Sequence, residues 1–132
     1  MKRSLVEVRF PDGKKIDAQI GGFTINTDQA AANGGDESAP EPFQLFLASI
    51  ATCAGIYALN FCQTRNIPPD GMSLSMECKW DENKNRYSKM AINLRLPEGF
   101  DEKYRKAVVR SMDLCSVKKH MMDPPEFEIT TS

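Results

Sequence analysis

From Pro42 to Thr64 the chain reads PFQLFLASIATCAGIYALNFCQT, without one charged side chain. Wound as a helix, this run sends Phe43, Phe46, Ile50, Ile56, Tyr57 and Phe61 in nearly every direction and leaves no polar face for water. Such a helix belongs in a core, an interface or a membrane. It is long enough to span a bilayer, which takes about 20 apolar residues. Gln44, Ser49, Thr52, Asn60 and Gln63 interrupt it, however, and only Leu, Ile and Phe carry strong insertion energy, so no membrane is expected. A helix of about 24 residues would be about 36 Å long at 1.5 Å per residue, more than a small domain hides alone. Two copies packed on one another would hide it.

The helix is punctuated at both ends. Ser38 followed three residues later by Glu41 has capping-box form, and Pro42 suits a first turn, where its missing N–H has no partner to lose. At the other end Arg65 meets the negative pole of the helix, and Pro68-Pro69 forbid continuation.

Before the helix the polarity alternates with period two. Leu5 to Phe10 reads as a strand closed by the Pro11-Asp12-Gly13 turn, and Ile16 to Ile20 and Phe23 to Asn26, broken at Gly21-Gly22, complete an antiparallel meander. Residues Thr27 to Pro40 are small and polar, a loop with too little to bury to order itself strongly. After the helix, Met72, Leu74, Met76, Cys78 and Trp80 share one face opposite Ser73, Ser75, Glu77 and Lys79. Met90, Ile92, Leu94 and Leu96 resume that alternation, which predicts a long hairpin. Asp101 and Glu102 then open an amphipathic stretch in which Tyr104, Ala107, Val108, Ser111, Met112 and Cys115 recur at helical spacing. Ser116 to His120 either continues that helix or restarts it. Pro124-Pro125 stops it, and Glu126 to Thr131 is patterned as an edge strand. The fold class is α+β, one domain over residues 1–132.

Composition narrows the chemistry. The chain has 132 residues and a formal net charge of -1, and its dispersed Lys and Arg make no basic stripe, so nucleic acid is not indicated. Glu7 and Arg9 interrupt any signal-peptide core near the N-terminus, which points to a cytoplasmic protein. Four cysteines without CxxC spacing and a single histidine, His120, do not support a zinc site, and no metal or cofactor is expected. Disulfide scaffolding is not expected in a reducing compartment.

Free thiols remain as the candidate chemistry. Cys53 and Cys62 are nine residues apart, which places them about 180° around a helix and about 13 Å along it, so they cannot bridge. A redox partner for Cys53 must come from another element, Cys78 on the hairpin or Cys115 after the second helix. Cys115 has the better local setting for a thiolate, because a helix beginning near it would offer exposed N–H groups and Lys118 or Lys119 would add positive charge. The bland alternative for each cysteine is a small buried hydrophobe, and for Lys118, Lys119 and His120 a solvated basic helix end.

The segment APEPFQLFLASIATCAG (Ala39 to Gly55), followed much later by LCSVKKHM (Leu114 to Met121), resembles the superfamily of osmotically inducible protein C and organic hydroperoxide resistance proteins (OsmC/Ohr). Those proteins carry one cysteine on a proline-led apolar central helix and a second in a short motif after a later helix. The order of elements also matches theirs over nearly the whole chain. The resemblance implies an OsmC-like fold, antiparallel sheets around a long buried central helix, assembled as an intertwined homodimer. It further implies thiol-dependent reduction of organic hydroperoxides in oxidative-stress defence, with Cys53 attacking the peroxide, Cys115 resolving it, and a small-molecule or protein dithiol as reductant. Phe43, Gln44, Phe46 and Tyr57 are the expected substrate-binding residues, with Ile50 beside them.

The match departs from the family pattern where the thiolate is activated. Peroxidase members place a glutamate just after the proline at the head of the central helix, paired with an N-terminal arginine. Here Phe43 and Gln44 follow Pro42, Glu41 precedes it, and Arg9 falls on a strand. Gln44 can orient a group but supplies no charge. Two other functions therefore stand beside peroxide reduction, a non-peroxidatic dimer that binds a small apolar ligand and a cysteine redox switch.

Overall fold

The computed structural model describes residues 3–132. Its elements run β1 (Val6–Arg9), β2 (Ile16–Ile20), β3 (Phe23–Thr27), α1 (Pro42–Thr64), β4 (Ser73–Asp81), β5 (Arg86–Arg95), α2 (Arg105–Met112) and α3 (Ser116–Met122), with single 3₁₀ turns at Ala31–Asn33 and Glu102–Tyr104. This is the α+β architecture that the alternation implied, two antiparallel sheets and a long central helix. Two compact units meet between Ala48 and Ser49, inside α1.

In the first unit β1, β2 and β3 form the expected meander, with Val8 opposite Ala18 and Ala18 opposite Ile25. The neighbouring row aligns Val6, Ile20 and Phe23. These rows make one apolar sheet face, and Val6, Val8, Phe23 and Ile25 on it are exposed.

The loop after β3 is more ordered than its composition suggested. Asp28 is 1% exposed and collects the loop around its carboxylate. Oδ2 accepts from the Ser38 hydroxyl at 2.6 Å and the Ser38 N–H at 3.0 Å, and Oδ1 accepts from the Gln29 N–H at 2.7 Å. One buried anion with several donors replaces the apolar core that the loop lacks. Gly35 is required here, since a Cβ on it would lie 2.0 Å from the Gln29 carbonyl oxygen.

The helix spans the residues its apolar run marked out, but its cap differs. Ser38 is spent on Asp28, and Glu41 accepts the Ala30 N–H at 3.0 Å. The Gln44 side chain instead reaches back to accept the Glu41 N–H at 2.9 Å, the return half of a capping box one register later. At the far end Asn66 adopts φ 55°, the Ile67 N–H bonds the Cys62 carbonyl and the Asn66 N–H bonds the Gln63 carbonyl. This is a Schellman closure with Asn in the left-handed position, already complete before the two prolines. Arg65 lies over the Phe61 ring at 3.6 Å and donates to the Phe61 carbonyl at 3.2 Å, so it does serve the helix end.

The second unit holds the core. Ala54, Ala58 and Phe61 of α1 pack with Val108 and Met112 of α2, and Leu74, Leu94, Leu96, Phe100 and Tyr104 close around them. Two alanines one turn apart present almost no side chain, which lets Val108 reach complete burial between the helices. β4 and β5 form the long hairpin, with Cys78 opposite Met90. Leu74, Met76 and Cys78 alternate inward as predicted, but a bulge between Lys79 and Trp80 reverses the phase. Trp80 is therefore half exposed and rests edge-on against Tyr87, outside the buried row.

Of the two continuations open after Cys115 the chain takes the restart: Ser116 opens a separate helix, with the Lys119 N–H bonded to the Cys115 carbonyl at 3.0 Å. A further expectation is corrected: residues 124–132 form no strand, and Phe127 and Ile129 are exposed. As its length implied, α1 is not buried all round within one chain: Ile50, Ala54, Ala58, Phe61 and Cys62 make a single buried stripe, while Phe43 and Ile56 are about half exposed.

Candidate functional site

The buried stripe of α1 fixes where its thiol points. Cys53 precedes Ala54, a member of the core that α1 shares with α2, and is partly buried beside the turn where α2 ends and α3 begins. That turn carries Cys115, which is buried just before the first residue of α3. Of the two cysteines considered as partners on sequence grounds, Cys115 is the one whose side chain lies within hydrogen-bonding reach of Cys53. Cys78 lies in the hairpin row, and Cys62 sits 4.0 Å from the Met72 sulfur.

The two thiols differ in acidity, and in the opposite sense to the sequence expectation. Burial disfavours the Cys53 thiolate, but hydrogen bonding from the Cys115 side chain and from the backbone N–H groups of Val117 and Ser116 outweighs it, so Cys53 ionises more readily than an ordinary thiol. Burial pushes Cys115 the other way, and its contact with Cys53 adds to the shift, against a smaller opposing effect of the Lys118 and Val117 N–H groups. The two shifts thus run in opposite directions, Cys53 downward and Cys115 upward. The helix start that was expected to serve Cys115 serves both thiols, Cys53 through the Val117 and Ser116 N–H groups and Cys115 through those of Lys118 and Val117, where burial outweighs it. Burial also raises Cys62, with Arg65 opposing, which makes it a poor nucleophile.

Around this pair a small polar shell is built on α1 and α3. The Tyr57 hydroxyl, one turn after Cys53, is 3.4 Å from Ser116 Oγ, and the Ser111 hydroxyl donates to the Tyr57 carbonyl at 3.3 Å. His120 Nδ1 lies 2.6 Å from the Ser116 carbonyl oxygen, and Lys118 is paired with Asp113. Ser116 and Val117, which act through their backbone, were not singled out from sequence. Their only local signal was the possible restart of a helix after Cys115.

Cys115 also lines a cavity of about 340 Å³ whose walls are chiefly apolar, among them Ile50, Met90, Ile92, Met112 and Met121, with Lys118 and Asp113 as its charged members. Of the residues expected to bind substrate, Ile50 lines this cavity and Tyr57 belongs to the polar shell. Phe43 and Phe46 belong to the first unit, where their rings pack against one another at 5.3 Å. Gln44 is engaged by the Glu41 N–H and borders a shallow groove of about 590 Å³ with Glu37, Glu41 and Leu45.

A long apolar helix, two antiparallel sheets and a helix thiol set beside a second thiol at a helix start define the class, an α+β protein with neighbouring free cysteines. Residues 34–130 match the family of OsmC-like proteins, and the chain belongs to that family. Its fold is shared with a protein of Psychrobacter arcticus 273-4 named for osmotic stress and detoxification response (TM-score 0.73, 21% identity, 90% of this chain and 87% of that one). It is shared equally with an OsmC-like protein of Mycoplasma pneumoniae (TM-score 0.73, 12% identity, 93% and 89%). The organic hydroperoxide resistance protein OhrB of Bacillus subtilis is also similar (TM-score 0.54, 21% identity, 90% of each chain). No curated protein matches the sequence.

Proposed function

We propose that this protein reduces organic hydroperoxides with Cys53 as the attacking thiolate and Cys115 as the resolving thiol. The observation that carries the proposal is the placement of Cys53 beside the Cys115 side chain and the Ser116 and Val117 N–H groups, hydrogen bonds that favour ionisation of Cys53, while burial disfavours that of Cys115. An ordinary thiol near pKa about 8.5 is only a few per cent ionised at neutral pH, so a depressed one gains nucleophile. The carboxylate and arginine missing from the head of α1 are replaced here by the Ser116 and Val117 N–H groups and the Cys115 thiol.

The steps balance as follows. The Cys53 thiolate attacks the terminal oxygen of ROOH, the O–O bond breaks, and the alkoxide leaves and takes a proton to give ROH. Cys115 then attacks the sulfenic sulfur of Cys53, forming a disulfide and releasing water, and an external dithiol reopens the bridge by exchange and is itself oxidised. The apolar cavity beside Cys115 suits the organic group of the peroxide.

The working form is a soluble cytoplasmic homodimer. Two exposed apolar features support a dimer, the meander face with Val6, Val8, Phe23 and Ile25 and the half-exposed Phe43 and Ile56 on separate sides of α1. By length and composition α1 is apolar enough to cross a membrane, and only 28% of its most apolar window is buried within one chain. A second copy would cover it.

The test is turnover of tert-butyl hydroperoxide with dithiothreitol by the reduced protein, followed by mass spectrometry after one equivalent of peroxide. Turnover abolished in Cys53→Ser, together with a Cys53–Cys115 disulfide in the wild type, is expected. Equal turnover by wild type and Cys53→Ser would sink the proposal. Absence of turnover combined with an apolar ligand retained beside Cys115 would favour the ligand-binding alternative, which rests on the same cavity.

A further inference from the structure

The cavity beside Cys115 carries two opposite charges on its wall, and they are spent on each other. Its lining comes from α1 through Ile50 and Ala54, from β5 through Met90 and Ile92, and from α2 and α3 through Met112 and Met121, all of them uncharged. Lys118 and Asp113 are the charged members, and their side chains form an ion pair.

Neither charge stands where its own helix favours it. Asp113 caps the C-terminal end of α2, the negative pole, and Lys118 is in the first turn of α3, the positive pole. A carboxylate before the turn that holds Cys115 and an ammonium after it therefore depend on each other. Both side chains are partly exposed, and an ion pair of that kind adds little to stability. It changes more in what the cavity offers a ligand. Lys118 alone would present an ammonium to any carboxylate entering beside it. Held by Asp113 it presents none, and an entering anion would also meet the like charge of Asp113.

We propose that Asp113 is a specificity-determining residue: by holding Lys118 it makes the cavity beside Cys115 accept uncharged organic molecules and reject those that carry a carboxylate. Within the proposed function the substrates are then uncharged alkyl and aryl hydroperoxides rather than hydroperoxides of free acids. That step rests on the hydroperoxide reading, and the selectivity itself does not. The remaining walls reinforce the choice, because an apolar lining returns none of the hydrogen bonds that a carboxylate gives up on leaving water. Met90, Met112 and Met121 are unbranched and adapt to the shape of an occupant, so charge decides more than outline does.

The experiment is a titration of the reduced full chain, labelled with carbon-13 at its methionine methyls, with para-isopropylbenzyl alcohol and separately with para-isopropylbenzoate at neutral pH. The two ligands share an aryl body and differ by one charge, and the methyls of Met90, Met112 and Met121 report from the cavity wall. Wild type should bind the alcohol at least about fivefold more tightly than the benzoate. Asp113→Asn should bind the benzoate about fivefold more tightly than wild type does, the scale of one partly exposed ion pair, with its affinity for the alcohol unchanged. Adding Lys118→Met to Asp113→Asn should erase that gain, which separates the freed ammonium from any shift of the turn. Equal affinities in wild type would overturn the inference. So would an Asp113→Asn that changes both ligands alike, the mark of a clasp that only ties α2 to α3, or shifts confined to methionines outside the cavity. This selectivity in a protein that consumes no hydroperoxide would refute the proposed function and leave the inference standing, and turnover of tert-butyl hydroperoxide without the selectivity would do the reverse.

Discussion

Cys53 and Cys115 face each other from α1 and the start of α3, and their acidities are driven apart: Cys53 is held below the ordinary thiol range while Cys115 is pushed above it. The donor in this pair is the Cys115 S–H. In the proposed reaction its role as an activator would be separable from its role as a resolver, since one would act before peroxide arrives and the other after.

Replacing Cys115 with Ala should slow the first chemical step as well as block the last. One hydrogen bond to a charged group contributes about 1.5–3 kcal/mol, so alkylation of Cys53 at pH 7 is expected to drop about tenfold in Cys115→Ala. The sign follows from the shift: losing a donor to the thiolate raises the Cys53 pKa and leaves less nucleophile at pH 7. Cys115→Ser keeps a hydroxyl donor and should stay closer to wild type. Iodoacetamide kinetics on the Cys53 peptide check both variants. A Cys115→Ala rate equal to wild type would remove Cys115 from the activation of Cys53.

Asp28 makes the first unit sensitive to acid. Its carboxyl is lowered to about 2, first by the Ser38 hydroxyl and then by the Ser38 and Gln29 N–H groups, from the usual carboxylate value of about 3.9. A depressed carboxyl contributes stability above its unfolded pKa, and that contribution is lost as pH falls through the folded one. Asp28→Asn should accordingly be less stable than wild type at pH 5 to 7, with the difference shrinking between about pH 4 and 2. Thermal melts by circular dichroism across that range measure it. A destabilisation that does not change with pH would show that shape, not charge, holds the loop.

The contact between α1 and α2 is sized for small residues on one side only. Val108→Ala should cost about 2 kcal/mol, combining lost burial with the cavity left behind. Ala58→Leu should cost about 1–3 kcal/mol by forcing the helices apart. Both Ala58 and Val108 are fully buried, so neither change can be relieved toward solvent. Because the helices they separate also carry Cys53 and the approach to Cys115, Ala58→Leu should lower Cys53 reactivity along with stability. Urea unfolding read beside alkylation tests the two together. Ala58→Leu with wild-type stability would mean that the helices are not closely packed.

Much of this molecule was legible from local pattern. Period-two alternation marked β1 to β5 and the absence of charge marked α1 from Pro42 to Thr64, because strands and helices repeat over distances that neighbouring residues span. The resemblance carried by the two cysteine segments led to the family to which the chain belongs. Local pattern misled where a residue had two suitors. Ser38 has the chemistry of a cap, yet buried Asp28 competes for its hydroxyl and wins, and Gln44 takes the cap instead. Trp80 follows the apolar alternation, but the bulge after Lys79 turns it outward. The terminal run of Phe127 and Ile129 has a strand's pattern, yet it joins neither sheet.

The polarity of the thiol pair belongs to the same class. Residue type made Cys53 and Cys115 candidates, but which one ionises more readily depends on where two backbone N–H groups point and how deeply each sulfur is buried. Sequence by itself determined the elements, their order and the presence of reactive thiols, since these follow from spacing along the chain. Tertiary structure alone decided that the Ser116 and Val117 N–H groups serve a cysteine some sixty residues away on α1, because a hydrogen bond depends on position and direction in space.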